Sequence, residues 1–206
     1  MSSTTAKPYH HGNLRAEIVQ RAVEVIDSEG IEALTLRGVA RDLGVSHGAP
    51  NRHFRNKQAL LSEIAAEGWT EVKRATLHAA IESGSDDPRI RLNAMGRGYM
   101  RWALNHRPLF RTLFHPDVMR FATSELRRVM SDFADSVQEA VAATQVAGRH
   151  PDVPLPLLTL YTNSVPTGAA LLLVDPILES EMRADGVDQE TLIEHVINLV
   201  VPLPAS

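Results

Sequence analysis

The chain is predicted to be all-α, with an N-terminal three-helix helix-turn-helix head joined to a larger C-terminal helical bundle. Three observations carry this. Apolar residues recur at three- and four-residue spacing along most of the 206 residues. Capping and stop residues (Asn, Ser, Thr, Gly and Pro) fall at the ends of those runs. No stretch pairs with another as alternating strands, and no internal repeat is visible.

The elements follow in order. Leu14, Ile18, Ala22, Val25 and Ile26 predict a first helix from the N-cap Asn13 to the stop Gly30. Leu36, Val39, Ala40 and Leu43 predict a short second helix, capped by Thr35 and ended by Gly44. Ser46 opens a third helix running to about Phe54. Asn56 opens a long fourth with Leu60, Leu61, Ile64, Ala65, Trp69 and Val72 on one face. Residues 83–88 break the pattern. Further helices are expected over Pro88–His106, Pro108–His115 and Pro116–Val146, since proline suits a first turn. After a loop at 147–156, Leu157 to Glu181 is apolar and helical, interrupted by Pro166 and by Asp175-Pro176. Residues 186–188 lead into a last helix with Leu192, Val196, Leu199 and Val200. The domain boundary falls inside the fourth helix, giving a head of residues 1–60 and a body of 61–206.

Composition narrows the function. There is no cysteine, which excludes disulfides, thiolate zinc sites and cysteine nucleophiles. Met1 to Lys7 is small and polar and lacks a signal-peptide core. No apolar run reaches the roughly 18 residues of a membrane span, Ala169 to Val174 being short. A cytoplasmic protein without a membrane partner is expected. The net charge is −4, but it is unevenly spread. Residues 1–60 hold eight Lys and Arg against six Asp and Glu, a net of +2, and the remainder carries −6. Four of the nine histidines also lie in this mildly basic head.

Thr35 to Phe54 carries the functional signal. Two short helices joined by Gly44-Val45-Ser46 make a helix-turn-helix pattern. Gly44 takes the left-handed conformation without steric cost. Val45 plugs the space between the helices, and the small Ala40 lets them cross closely. Gly48 and Ala49 bring the start of the third helix near base edges or phosphates, and its dipole favours a phosphate there. The competing reading of this pattern is an ordinary helical hairpin in a larger core.

From Tyr9 to Trp69 the chain resembles the DNA-binding domain of the tetracycline-repressor (TetR) family. The resemblance rests on Leu36-Arg37-Gly38-Val39-Ala40, the turn Gly44-Val45-Ser46, and the exit Arg52-His53-Phe54-Arg55-Asn56-Lys57-Gln58-Ala59-Leu60-Leu61. The lead-in Tyr9-His10-His11-Gly12-Asn13-Leu14 is similar to a subgroup of that family. Asn51 stands where the family usually has a tyrosine that contacts DNA. In residues 163–169 only Gly168 fits that subgroup's pattern. The resemblance implies a homodimeric repressor whose C-terminal domain holds a small-molecule effector and the dimer interface. It further implies that effector binding releases double-stranded DNA.

On the head, Arg37, Ser46, His47, Gly48, Ala49, Asn51, Arg52, His53 and Lys57 are the candidate DNA-binding residues. Arg37 reaches phosphate or a base. His47 donates or accepts at a base edge, or pairs with phosphate when protonated. Asn51, four residues on, either bonds adenine bidentately or merely faces the groove. Of Arg52 and His53 one reaches phosphate, while His53 alternatively packs inward beside Phe54. Lys57 is a phosphate contact. Tyr9, His10 and His11 form either an arm near the minor groove or a free tail; adjacent histidines without a third ligand do not make a metal site. In the body, Trp102, Phe110, Phe114, Met119 and Phe121 are candidate pocket residues. Leu157, Tyr161, Leu172, Leu192, Val196 and Leu199 are candidates for a dimer interface. No catalytic pattern, cofactor motif or metal cluster is present in the sequence, so no enzymatic activity is expected. The alternatives are a DNA-binding head on an enzymatic body and an architectural DNA binder without effector.

Overall fold

The computed structural model describes residues 13–175, 177, 179–180 and 186–203. The expected arm residues Tyr9, His10 and His11 lie outside them. The described residues form helices and turns without strands, and the chain divides into two compact units, one ending at Ile64 and one beginning at Ala65.

In the first unit, α1 (Leu14–Glu29) buries Ile18, Val19, Ala22, Val25 and Ile26. Asn13 makes no side-chain cap, contrary to expectation, but Gly30 ends the helix at φ +86°. A 3-10 turn (Ile31–Ala33) leads to the fully buried Leu34. α2 (Leu36–Asp42) is capped by Thr35, whose Oγ1 accepts from the Gly38 N–H at 3.0 Å. A Cβ at Gly38 would lie 2.9 Å from that Oγ1, so glycine leaves room for the cap. The helix ends in a Schellman pair: Gly44 N–H bonds the Arg41 carbonyl and Val45 N–H the Ala40 carbonyl, with Gly44 at φ +69°. Arg21 on α1 donates from Nε and Nη2 to Asp42 Oδ2 at 3.1 and 2.9 Å, tying α1 to α2.

The expected third helix is not an α-helix. Residues 47–49 form turns and Pro50–Arg52 a single 3-10 turn. Pro50 is the reason. It has no N–H for the Ser46 carbonyl, and its ring crowds that carbonyl. Ser46 O accepts instead from Ala49, and Ala49 O from Arg52, three residues on in each case. Asn56 Oδ1 then accepts from the Ala59 N–H at 2.9 Å and opens α3 (Lys57–Glu82).

The second unit holds the rest of α3, then α4 (Pro88–Asn105), α5 (Arg107–Leu113), α6 (Pro116–Arg120), α7 (Ser124–Val146), α8 (Leu155–Val174) and α9 (Gln189–Val200). Side chains of Asp87, Thr123 and Asp188 cap α4, α7 and α9. α4 packs against α5, α7, α8 and α9. It meets α3 backbone to backbone at Gly98, where a Cβ would lie 2.7 Å from Ala79 Cβ and 2.9 Å from the Ala75 carbonyl. Against α9 it sets Gly96 under Ile197, and Asn93 Nδ2 donates to the Val201 carbonyl and Asn198 Oδ1. Ion pairs Arg97–Glu194 and Arg101–Glu190 flank that seam. Buried Arg149 donates from Nη2 to the Val200 carbonyl at 2.8 Å, at the C-terminal end of α9.

Two expectations are corrected here. Residues 116–146 are two helices, not one, because Thr123 takes an extended conformation to cap α7. Pro166 does not interrupt α8 but lies buried inside it. Unbroken, that helix is long and apolar enough to cross a membrane by length and composition, with mean hydropathy 1.4. The sequence reading missed this because Thr, Asn, Ser and Pro break the apolar run without lowering its average much. In this unit α8 packs against α4, α5, α7 and α9.

The close approach at Gly98 predicts opposite effects for two glycine changes. Gly98→Ala should destabilise the body by about 1–3 kcal/mol through overpacking against backbone. Gly168→Ala, whose Cβ would meet nothing within 4 Å, should be stabilising by up to about 1 kcal/mol through helix propensity. Urea denaturation of the two variants checks both signs.

The head carries a pH dependence of known sign. The Arg21 hydrogen bond holds the Asp42 carboxyl below its ordinary value. The pair therefore contributes fully above about pH 4, the unfolded Asp range, and its contribution is lost as pH falls through the lowered folded value. The stability difference between wild type and Asp42→Asn should shrink on acidification through that window, as followed by circular dichroism.

Candidate DNA-binding surface and a cavity in the body

The head presents one exposed polar segment. Ser46, His47, Gly48, Asn51, Arg52 and His53 are exposed and Ala49 is half-buried, while Pro50 and Phe54 anchor the segment from below. His53 therefore points to solvent and not inward. Arg37 is exposed in the first turn of α2. His47 lies in the turn before Pro50 and Asn51 in the 3-10 turn, both exposed. A single 3-10 turn supplies little of the helix dipole expected to favour a phosphate.

Lys57 is half-buried, and its Nζ donates to the Ile31 carbonyl at 2.8 Å. An ammonium has three donors, so two remain for another acceptor. Arg15 lies over the Phe54 ring at 5.0 Å and pairs with Glu63, bracing the exit from the segment. The sequence reading passed over Arg41 and Arg55, both exposed beside this surface. Their charge was visible in the sequence, but their position relative to the 3-10 turn was not.

The second unit holds a cavity of about 260 Å³ that is partly open to the surface. Its walls come from α3, α4, α7, α8 and α9 and include Leu92, Met95, Phe114, Phe133, Val137 and Ile197. Tyr99 on this wall is paired with Thr167 through its hydroxyl at 3.1 Å, and burial pushes its phenol up to about 12. It stays neutral. Of the five expected pocket residues only Phe114 lines this space. Phe110 is fully buried beside Tyr99, and Trp102 stacks on His106 at 4.7 Å. Met119 and Phe121 are 45% and 47% exposed. The break before α7 resets the helical phase and leaves Met119 and Phe121 exposed at the end of α6 while Val118 stays buried, which a single helix over 116–146 hid.

Residues 18–64 match the family described as bacterial regulatory proteins, tetR family. The match covers the N-terminal part of the chain, which is similar there to tetR-family regulators. The chain is 24% identical over 149 residues to the transcriptional regulator BetI of Burkholderia thailandensis, covering 65% of this chain and 74% of that protein. It is 28% identical over 130 residues to the class D tetracycline repressor of Escherichia coli, spanning 63% of this chain and 59% of the repressor. Among solved structures, a protein of unknown function from Rhodococcus sp. RHA1 superposes with TM-score 0.76 at 29% identity, covering 95% of this chain and 97% of that one. The TetR-family regulator PfmR of Thermus thermophilus shares the fold, with TM-score 0.63, 18% identity and coverage of 89% and 96%.

The body leaves an apolar face open on α8 and α9. Leu157, Leu160, Tyr161, Leu172 and Leu199 are exposed, Leu199 by 80%, while Leu192 and Val196 are half-buried. Leu160, absent from the sequence-based set, belongs to the same side by its i, i+3 relation to Leu157.

Proposed function

We propose that this chain is a TetR-family homodimeric transcriptional repressor that binds operator DNA through Arg37, residues 46–53 and Lys57, and leaves it when a small molecule enters the body cavity. The observation that carries the reading is the exposed segment 46–53. It places His47, Asn51, Arg52 and His53 outward on a short turn held by buried Pro50 and Phe54. His47 and Asn51 read bases, Asn51 by a bidentate bond to adenine. Lys57, steadied by the Ile31 carbonyl, meets a phosphate. The open apolar face of α8 and α9 supports pairing of two copies in a four-helix arrangement. An effector that binds one body conformation better than another shifts the protein away from its DNA-competent state by that difference in affinity.

The experiment is selection of the bound sequence from random duplexes, followed by titration of variants. Asn51→Ala should cost about 1–3 kcal/mol on the selected operator and much less on unrelated DNA. Lys57→Ala should weaken all sequences alike and lower the salt slope by about one. Unchanged discrimination in Asn51→Ala, with no loss on the operator, rules out its role as a reader.

The dimer is tested separately. Leu199→Glu or Leu172→Glu should give monomers by light scattering at micromolar concentration, with weakened operator binding. A monomeric wild type under the same conditions overturns the homodimer.

A further inference from the structure

The polar atoms of the body cavity are few, and several lack partners. Trp69 Nε1, Thr76 Oγ1 and Thr162 Oγ1 are buried without a hydrogen-bond partner among the described residues, and all three residues line the cavity. Leaving a buried polar group unsatisfied is costly, and interiors rarely do it without a reason. The indole can only donate. Trp69 and Thr76 stand seven residues apart on α3, about 10 Å along its axis, so this wall is polar at both ends. On the opposite wall the turn of Thr162 contains Pro166, which also lines the cavity and has no N–H to give the Thr162 carbonyl. Among the described residues no Lys, Arg, His, Asp or Glu lines this space, so a charged ligand would be buried without a counter-charge, at heavy cost.

We propose that the effector is an uncharged, mainly apolar small molecule carrying a carbonyl-type oxygen that accepts from the Trp69 indole and a hydroxyl that bonds the Thr76 or Thr162 side. This rests on reading the cavity as the effector site. The cavity's size, about 260 Å³ and so just below the roughly 300–1,000 Å³ of small-molecule pockets, favours a compact ring system over a long acyl chain. Apolar walls supply affinity, and the three unpaired groups supply orientation and specificity.

The test is equilibrium dialysis of the full chain with three probes of one shape. These are 4-(4-hydroxyphenyl)cyclohexanone, phenylcyclohexane and 4-cyclohexylbenzoate. The hydroxy-ketone should bind at least about tenfold more tightly than the hydrocarbon, the worth of one good hydrogen bond, and the carboxylate least. Trp69→Phe should erase most of that preference while the hydrocarbon changes little. Thr76→Val should weaken the hydroxy-ketone yet raise the melting temperature of the free protein, because it removes an unpaired buried hydroxyl. A merely structural threonine would lower it. Equal binding of ketone and hydrocarbon, or tightest binding of the carboxylate, overturns the assigned ligand class and leaves the cavity as an effector site. Binding of none of the three at millimolar concentration removes the effector-site reading, and the ligand class with it.

Discussion

The body depends on how closely α4 can lie against its neighbours. At Gly98 the α3 backbone occupies the place where a side chain would stand, and at Gly96 the Ile197 side chain does the same. These two absences of a Cβ set α4 against both α3 and α9, the helices that help to wall the cavity. The aromatic residues then fill what remains: Tyr99, Phe110, Phe114, Phe133 and Trp69 meet at centroid distances of 5.1 to 6.1 Å. Such packing leaves little freedom, so the residual space has a definite shape and not a fluid one.

Polar groups in this interior fall into two kinds. Asn93 shares its amide between Asn198 and the Val201 carbonyl and accepts from Arg97. It is a satisfied group that fastens α4 to the end of α9. Trp69, Thr76 and Thr162 are polar in an equally dry setting but unpaired among the described residues. These three residues line the cavity, whereas the other unpaired buried atoms, on Arg89, Arg149 and Thr159, belong to residues outside its lining. The contrast distinguishes polarity that holds the body together from polarity available to a ligand.

The head is built differently. Its buried side chains come from α1, α2, Leu34, the aromatic anchor Phe54 and the start of α3, and its exposed segment is too short to hold itself. Proline replaces the helix there. Pro50 forbids the α-helical bond pattern, yet its buried ring fixes the segment from beneath, so the polar residues on either side are presented without a long helix. The surrounding Schellman turn at Gly44 and the Asn56 cap of α3 confine the segment at both ends.

Much of this was legible in the residues alone. Helical period marked α1, α2 and the long α3. Gly30 and Gly44 marked stops that both occur at positive φ. The helix-turn-helix pattern pointed to the family whose model residues 18–64 match. These features are local: a cap, a stop and an apolar stripe are decided within a few residues by backbone sterics and hydrogen bonding. What the tertiary structure alone decided lies between residues distant in the chain. The sequence did not reveal that Phe114 lines the cavity while Trp102 and Phe110 do not, that α6 turns Met119 and Phe121 outward, or that α8 runs through Pro166. Each depends on helical phase and on which helix packs opposite, and a short break such as the one before α7 shifts phase without altering composition. The cavity and its unpaired groups are therefore products of packing, since only the meeting of separate helices determines which residues line it and which polar atoms are left without partners.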